Sequence, residues 1–343
     1  MKQHLNTLFV TTPGAYLKKD GQAVAVRVDN EIRLRVPLHN LGGVVAFGSV
    51  GASPALMGAC AEAGIAISFL TESGRFLARV SGFTSGNVLL RREQYRRADD
   101  LPQCMLLAGA IITAKVANAR TVLRRAARDH PDRPPCEGLE HAAQRLTQTL
   151  DEVAAAADLD ALRGFEGEAA KDYFSVFNAM IVAQNDGFQM NGRTRRPPLD
   201  NVNALLSFLY AILTHDARSA CEAAGLDPAV GFLHRDRPGR PSLALDLIEE
   251  FRPFLADRVA LSLINRRQIS AKGFVQQEAG GVSMDDETRK AVLVAYQKRK
   301  QETVTHPFLN EKTTVGLLVH LQARLLSRTL RGELDGYPPF IMK

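Results

Sequence analysis

The hydrophobic pattern of the chain changes its period near residue 88, and this change constrains the fold more than any other feature. Upstream, segments 23–28 and 32–36 alternate apolar and polar residues at period two and are joined by a short Asp-Asn-Glu turn, which is typical of a β-hairpin. Downstream, segment 91–128 is rich in Ala, Leu and Arg and has few helix breakers, which predicts helix. The sequence therefore predicts an α+β protein of two domains: a β-sandwich-like domain over residues 1–88 and a larger all-α domain over residues 89–343.

The remaining elements follow from the same two periods. In the first domain, further strands are expected at 8–12, 43–47, 65–70 and 76–80, with one helix at 54–63. In the second domain, further helices are expected at 139–159, 161–183, 199–224, 243–268, 285–302 and 310–331. Segment 185–198 is polar, basic and contains glycine, which predicts a mobile loop between two of these helices.

The composition is that of an ordinary globular protein, with 45% hydrophobic and 23% charged residues in a chain of 343. The formal net charge of +6 permits a nucleic-acid partner but does not require one, since many basic proteins bind none. The four cysteines form no Cys-x-x-Cys pair, which excludes a zinc ribbon and favours small, reduced core residues.

No membrane segment and no export signal are expected. The N-terminus has no long apolar stretch, and the most apolar long segment, 104–119, is interrupted by Lys115 and is too short to span a bilayer. The expected location is therefore a cytoplasm, where thiols stay reduced.

Three carboxylates lie within two turns of the expected 243–268 helix. Ser242 follows a proline and suits the N-cap, and Asp246, Glu249 and Glu250 then share one face at spacings of three and four residues. Like charges at this distance raise one another's pKa unless a positive group intervenes, and a cation would relieve that repulsion. The alternative is a solvated acidic face, or pairing with the arginines that follow.

A fourth carboxylate, Glu166, falls on the apolar stripe of its helix together with Tyr173. A carboxylate that faces the core needs a partner, because an unpaired buried charge is costly. Gly167 stands beside it in mid-helix, which suggests that another group approaches closely there. A buried salt bridge to Arg163 or Arg252 and a role as a metal ligand are both open for Glu166.

His234 ends the apolar, strand-like run 230–233, where a structural histidine and a metal ligand are both open readings. Arginines flank this histidine and the acids on both sides, namely Arg193, Arg195, Arg196, Arg235, Arg237, Arg240 and Arg252. Such groups suit phosphate contact, although a plainly solvated set of charges is an equal alternative for any one of them. An imidazole with clustered carboxylates suits a divalent cation, so the region favours metal-dependent chemistry on a phosphodiester.

Three segments in this order and spacing, 163–170, 195–210 and 231–253, resemble the motifs of a known family. The family is the endonuclease and integrase that forms the catalytic subunit of the CRISPR spacer-acquisition module, CRISPR-associated protein one. The resemblance covers essentially the whole chain, including the β-then-α layout, and is strongest to the branch found with type I-C systems. It implies a homodimer formed through the β domain, in the cytoplasm of a prokaryote.

The resemblance implies that Glu166, His234 and Glu249 hold a metal ion and are the catalytic residues. It makes Asp246 a ligand or a close neighbour of the ligands, and leaves open whether His234 binds metal or acts as an acid or base. Hard oxygen donors favour Mg²⁺, and the imidazole makes Mn²⁺ equally suitable.

The resemblance also implies DNA as the substrate. The side chains expected to contact or support it are Arg195, Arg196, Arg240, Arg252, Asn203, Ser207 and Tyr210. In the implied reaction, the 3′-hydroxyl of a captured DNA attacks a phosphodiester at a repeat border and displaces another 3′-oxygen; water as the nucleophile gives nuclease activity.

The implied partners are double-stranded DNA, both as spacer precursor and as repeat, a small ferredoxin-like adaptation protein and a RecB-like exonuclease, with no membrane. Two other functions compete with this one. The chain could be a DNA-binding scaffold of the same fold without catalysis, or a metallohydrolase of small phosphate esters.

Overall fold

The computed structural model describes residues 6–72, 76–80, 82, 88–129, 136–278 and 280–342. The chain divides into two compact units, Met1–Gly86 and Asn87–Lys343, so the division falls two residues before the expected boundary at 88. Strands dominate the first unit and helices the second, which confirms the predicted fold class.

The N-terminal unit is built from short strands and one helix. Its elements in chain order are β1 (Asn6–Val10), β2 (Tyr16–Asp20), β3 (Ala23–Val28), β4 (Glu31–Pro37), β5 (Leu41–Phe47), β6 (Gly51–Ala52), α1 (Pro54–Glu62), β7 (Ala66–Leu70) and β8 (Phe76–Val80). They form two four-stranded sheets, ordered β1-β5-β7-β8 and β4-β3-β2-β6. Leu17 and Val24 from one sheet, Val44 and Ile67 from the other and Leu56 of α1 are fully buried in one shared core.

The C-terminal unit is mainly helical. Its helices are α2 (Val88–Asp99), α3 (Leu101–Asp129), α4 (Cys136–Ala154), α5 (Leu159–Ser175), a 3-10 turn (Phe177–Met180), α6 (Asn201–Ala223), α7 (Ser242–Glu249), a π-helical segment (Arg252–Asp257), α8 (Arg258–Asn265), α9 (Asp286–Gln301) and α10 (Val315–Leu330). The expectation of an all-α domain was wrong in detail, because two hairpins interrupt the helices. These are β9 (Phe274–Gln276) with β10 (Val282–Met284), and β11 (Thr303–Thr305) with β12 (Lys312–Thr314).

Two expected long helices are broken, and a proline lies at each break. The 91–128 segment divides at Asp100, whose carboxylate accepts a hydrogen bond from the backbone of Gln103 just after Pro102. The 243–268 segment divides into α7, the π-helical segment and α8, with Pro253 at the start of the π-helical part. A proline has no backbone N–H and its ring crowds the preceding turn, so neither helix continues in register.

Helix α3 is the central helix of this unit. It packs against α4 and α5, and its buried residues include Lys115 and Asn118. Among the described residues it alone is long and apolar enough to cross a membrane by length and composition, and 61% of its most apolar window is buried inside the protein. The apolar segment is thus longer than the 104–119 stretch expected from sequence, but a buried core helix passes the same test, so this is weak evidence for a membrane span.

The described cysteines are core residues. Cys60, Cys104 and Cys221 are buried free thiols, and burial raises the pKa of Cys60 and Cys104 to about 11. A thiol with a raised pKa is a poor nucleophile, which agrees with the expected packing role. The side chain of Cys136 lies outside the described residues.

Candidate metal centre

Asp246 of α7 organises the loop that carries the histidine. Its carboxylate is completely buried. One oxygen accepts the backbone N–H groups of Phe232 at 2.6 Å and Leu233 at 3.1 Å. The other accepts the backbone N–H of His234 at 3.0 Å and lies 2.7 Å from the Nδ1 atom of its ring. The four lone-pair positions of the carboxylate are therefore all in use, which favours Asp246 as a neighbour of the ligands over Asp246 as a ligand.

This arrangement sets the orientation of the imidazole of His234. An ionised carboxylate has no hydrogen to give, so Nδ1 carries the proton and donates it to Asp246. The Nε2 atom then presents its lone pair on the opposite side, where it lies 3.9 Å from Oε1 of Glu249. The strand-like reading of the run before His234 was wrong, because residues 230–237 form an irregular loop that Asp246 holds in place.

Gly231 is required where the loop passes over the first turn of α7. A Cβ atom there would lie 2.7 Å from Oδ2 of Asp246 and 2.8 Å from the backbone carbonyl carbon of Ser242. The expectation that Ser242 caps α7 was wrong. Ser242 is the first helical residue after Pro241, and its hydroxyl donates to the carbonyl of Arg235 at 3.3 Å.

Glu249, at the end of α7, is buried between two cationic side chains. Nζ of Lys115 lies 2.6 Å from its Oε2, and the guanidinium of Arg252 forms an ion pair with its Oε1. The same Lys115 ammonium also forms an ion pair with Glu166 of α5, so that it bridges the two carboxylates. The partner of Glu166 is thus neither Arg163 nor Arg252 but a residue from the middle of α3.

The charges around Glu249 decide its pKa. Burial alone would raise it, but the charges of Arg252 and Lys115 lower it, and the pKa is about 2. Glu249 is therefore ionised throughout the physiological range, as a metal ligand must be.

Glu250 does not share the surroundings of Glu249, contrary to the expectation that the three acids of α7 occupy one face. Its carboxylate accepts hydrogen bonds from the hydroxyl of Tyr337 at 2.5 Å, the backbone of Phe340 at 2.7 Å and the amide of Gln322 at 3.1 Å. No described cationic group forms an ion pair with it, and burial raises its pKa to about 8. Glu250 therefore fastens the C-terminal segment and is not directed at the candidate metal centre.

The close approach expected at Gly167 is not made by the described protein. Apart from the backbone of α5 itself, no described atom lies within 4 Å of the position that a Cβ would take there. The division of the two neighbouring acids was right: Glu166 is half-buried and reaches Lys115, whereas Glu168 is exposed.

A wall of arginine and tyrosine side chains lies next to the carboxylates. The guanidinium groups of Arg252 and Arg193 lie 4.8 Å and 5.3 Å from the ring centre of Tyr210, which places both in cation–π contact. The Tyr210 hydroxyl donates to the fully buried Asp257 at 2.7 Å, and burial raises the pKa of Asp257 to about 6. Within the described chain, the Nε atoms of Arg193 and Arg252 are buried and make no hydrogen bond.

The residues expected to contact or support DNA fall into two groups. Asn203 is completely buried, accepts hydrogen bonds from Arg193 and the backbone of Thr194, and donates to the carbonyl of Gly192 at 2.8 Å. It therefore supports the 185–198 loop rather than reaching a ligand, and it fastens the centre of a segment that was expected to be mobile. Ser207 lies 3.4 Å from the same Arg193 guanidinium.

The other group faces outward. Arg195 and Arg196 are exposed, and Arg240 is half-buried. A small open recess lies beside Lys115, and its lining includes Lys115, Tyr173, Arg195, Tyr210 and Arg252. Arg252 lines this recess and also forms the ion pair with Glu249. The ion pair is therefore a second role beside the DNA contact expected from sequence.

The donor set fits a divalent cation, although the side chains are not arranged around one. Among the described residues, no three His, Cys, Asp or Glu side chains are grouped closely enough to hold a metal ion. The reason is visible: the ammonium of Lys115 occupies the space between Glu166 and Glu249. Oε2 of Glu249 faces the Lys115 ammonium at 2.6 Å and accepts no hydrogen bond from any other described group. Two carboxylates with the Nε2 of His234 are donors that Mg²⁺ and Mn²⁺ accept.

Three features of the site were not predicted from the sequence: the ion pairs of Lys115, the stacking of Arg193 on Tyr210, and the buried carboxylate of Asp257. A signal for Lys115 was present, because a lysine within an apolar helical stretch must find a buried anion. Glu166 was an acid on an apolar stripe with the same need. Pairing the two unexplained buried charges would have found the contact.

The comparisons with known proteins identify the family of the chain. A family model described as CRISPR associated protein Cas1 matches residues 8–298. A protein of Chlorobaculum tepidum named CRISPR-associated endonuclease Cas1 1 is 54% identical over 343 residues, which cover 100% of both chains.

The chain belongs to the Cas1 family.

The fold of this Cas1 chain is shared with solved structures. A Cas1 protein from Thermotoga maritima has a TM-score of 0.82 at 24% identity and covers 98% of this chain and 100% of its own. A casposase bound to its integration product has a TM-score of 0.83 at 20% identity, covering 97% of this chain and 93% of its own. At these identities the likeness establishes the architecture, and the chemistry must be argued from the side chains.

Proposed function

We propose that this Cas1-family chain is a metal-dependent DNA endonuclease and strand-transfer integrase that inserts captured spacer DNA into a CRISPR array. The observation that carries the proposal is the orientation of His234, whose Nδ1 is held by Asp246 so that Nε2 faces Glu249, with Glu166 joined to Glu249 through Lys115. A carboxylate behind a histidine fixes its tautomer and strengthens the ring as a ligand.

Glu166, His234 and Glu249 are the residues that would hold Mg²⁺ or Mn²⁺. Once bound, the ion would polarise a phosphoryl oxygen and stabilise the departing alkoxide. Glu249 supplies an anion that stays ionised at every working pH, because its pKa is about 2. Asp246 would not bind the metal itself but would position His234, since all of its acceptor sites are taken by the loop that carries the histidine.

The reaction exchanges one phosphodiester for another. The 3′-oxygen of the captured strand forms a bond to the phosphorus at the repeat border and the bond to the departing 3′-oxygen breaks. Overall, the proton of the attacking hydroxyl passes to the departing 3′-oxygen, which leaves as a 3′-hydroxyl. The guanidinium groups of Arg193 and Arg252 lie beside this centre and retain buried N–H groups without a partner in the described chain. Such groups suit the negative charge of a phosphate in transfer, and the exposed Arg195 extends the positive surface.

The partners proposed are duplex DNA, a second copy of this chain, a small ferredoxin-like adaptation protein and a RecB-like exonuclease. A relative from Geobacter sulfurreducens, 39% identical over 98% of this chain, is named as a fusion of exonuclease Cas4 with endonuclease Cas1, which supports the last of these. One solved structure of the same fold is a Cas6-RT-Cas1–Cas2 complex, at 23% identity. The type I-C branch and a prokaryotic cytoplasm belong to the same proposal.

The test is strand transfer of a short duplex with free 3′ ends into a target that carries a repeat, with Mg²⁺ or Mn²⁺ titrated in. Wild type should depend on the metal, and Glu166→Gln or His234→Ala should lower the rate by more than about 100-fold. Glu168→Gln is the matched control, because Glu168 lies two residues away on α5 and is exposed.

The outcomes separate the competing functions. Strand transfer that survives both site substitutions would overturn the proposed site. Tight DNA binding with no metal-dependent cutting or joining would instead favour a scaffold, and hydrolysis of a mononucleotide ester without action on DNA would favour a small-substrate hydrolase.

A further inference from the structure

Lys115 is buried in the helical unit, where a lysine is rarely found unless its ammonium is paired with an anion. It projects from the middle of α3 and is 9% exposed. Its ammonium lies 2.6 Å from Oε2 of Glu249 and forms a second ion pair with Glu166. These carboxylates come from two other helices, α7 and α5, so the ammonium sits where three helices meet.

The position of the ammonium is the one that a bridging cation would take. It contacts both carboxylates that the proposed function assigns to metal binding. Together, Lys115 and Arg252 supply two positive charges against the two negative charges of Glu166 and Glu249. The pair is therefore neutralised by the protein itself, and a divalent cation added beside that ammonium would meet strong repulsion at low dielectric.

We propose that Lys115 and a divalent cation are alternative counter-ions of the Glu166–Glu249 pair, so that metal binding displaces the ammonium. This inference rests on the proposed function, because it takes those carboxylates as metal ligands. The exchange keeps two buried acids neutralised at all times, which avoids the cost of an uncompensated buried charge in the metal-free protein.

The structure provides a place for the displaced group. Lys115 lines the open recess, together with Arg195 and Arg252. A lysine carries its charge on a flexible four-carbon stem, so its ammonium can leave the carboxylates while its helix stays in place. On the recess wall it adds a positive charge where a phosphate would enter.

The test is the affinity for Mn²⁺, measured from the electron paramagnetic resonance signal of the free ion, without DNA and without any activity assay. Lys115→Met removes the competing charge and should bind Mn²⁺ about tenfold more tightly or better than wild type, since a charge at this range changes such equilibria by one to three powers of ten. Lys115→Gln is neutral but still able to donate hydrogen bonds to both carboxylates, and should change the affinity in the same direction.

Lys300→Met is the matched control. Lys300 is 8% exposed and pairs with Asp216 at 2.8 Å, so this substitution also breaks a buried ion pair, but one away from the candidate metal centre. Its Kd for Mn²⁺ should equal that of wild type. A Kd in Lys115→Met and Lys115→Gln that is equal to or weaker than that of wild type would overturn the exchange.

A measurement on the unaltered chain keeps the inference testable if the neutral variants do not fold. The ¹⁵Nζ resonance of Lys115, identified by its absence in Lys115→Arg, should shift when Mg²⁺ saturates the protein. An unchanged resonance at saturation would overturn the exchange. If Mn²⁺ binding is lost on substitution of Glu166 or His234 but unchanged on substitution of Lys115, this inference alone is overturned. If the wild-type protein does not bind Mn²⁺, the proposed function is overturned as well.

Discussion

Glu249 and Glu250 are adjacent in sequence and equally buried, yet the structure gives them opposite chemistry. Glu249 faces Lys115 and Arg252, and its pKa is about 2. Glu250 faces a tyrosine hydroxyl, a backbone N–H and a glutamine amide, and its pKa is about 8. Burial raises the pKa of both groups, so the difference comes from the cations that only one of them meets.

The comparison teaches that burial does not by itself identify a functional acid. A buried acid surrounded by neutral donors is kept largely protonated and serves the fold, as Glu250 does for the C-terminal segment. A buried acid between cations stays ionised and can exchange those cations for another.

The largest effect should separate the two glutamates directly. Glu249→Gln removes the anion between Lys115 and Arg252, so metal-dependent strand transfer should fall by more than about 100-fold. Glu250→Gln resembles the protonated form that Glu250 already adopts below its pKa of about 8, and should retain activity close to that of wild type. Equal losses in the two variants, measured as initial rates, would show that the two surroundings do not differ in function.

Asp246→Asn should produce the next largest effect. The amide offers one acceptor oxygen in place of two, so it can no longer hold both the loop N–H groups and Nδ1 of His234. Metal affinity should fall by about 10- to 100-fold, as for other groups that orient a ligand. The control is Asp236→Asn, an exposed acid in the same loop, whose Mn²⁺ affinity should not change.

The pH dependence of folding should differ in sign between the two acids. The folded pKa of Glu250, about 8, lies above its ordinary value of 4.5, so its contribution to stability is complete below pH 4.5 and is lost as the pH rises to about 8. The folded pKa of Glu249, about 2, lies below 4.5, so its contribution is present above pH 4.5 and is lost as the pH falls towards 2.

Urea unfolding at a series of pH values measures these contributions. The free energy of unfolding of wild type minus that of Glu250→Gln should decline from pH 4.5 to 8 and then level off. Parallel curves for the two proteins across that interval would mean that Glu250 is ionised like an ordinary surface acid.

The smallest effects concern two glycines on either side of the same centre. Gly231→Ala places a Cβ against Asp246 and Ser242, and should destabilise the protein by about 1–3 kcal/mol and weaken Mn²⁺ binding. Gly167→Ala meets open space inside α5 and should stabilise it by about 0.5–1 kcal/mol. Thermal unfolding of both variants measures these two opposite changes in stability. A stabilising effect of Gly231→Ala would show that the histidine loop is not held tightly over α7.

Much of the fold could be predicted because it depends on local patterns. The alternation around Val24 predicted a strand and the period of 91–128 predicted helix, and both were interpreted correctly in kind. The alternation did not show the buried face of the strand, because Val24, Ala25 and Val26 are all buried. The breaks at Asp100 and Pro253 and the two hairpins were not predicted, since short elements have too few residues to show a period.

The candidate site was predictable in its residue types and not in its contacts. The residues alone left Glu166 and His234 open between a structural role and metal binding, and the resemblance to the family selected the set Glu166, His234 and Glu249. Which atoms would partner them depends on residues far away in the chain, such as Lys115 for Glu166, and no spacing rule connects positions on different helices.

The amino-acid sequence alone specifies the order of strands before helices and the supply of acids, imidazole and arginines, because these follow from hydrophobic periodicity and side-chain chemistry along the chain. Which acid is ionised depends instead on the folded protein. The packing of α3 against α5 and α7 brings an ammonium to Glu249, while the C-terminal segment brings neutral donors to Glu250. A charge in a low-dielectric interior is governed by its nearest neighbours in space, and those neighbours come from distant parts of the chain.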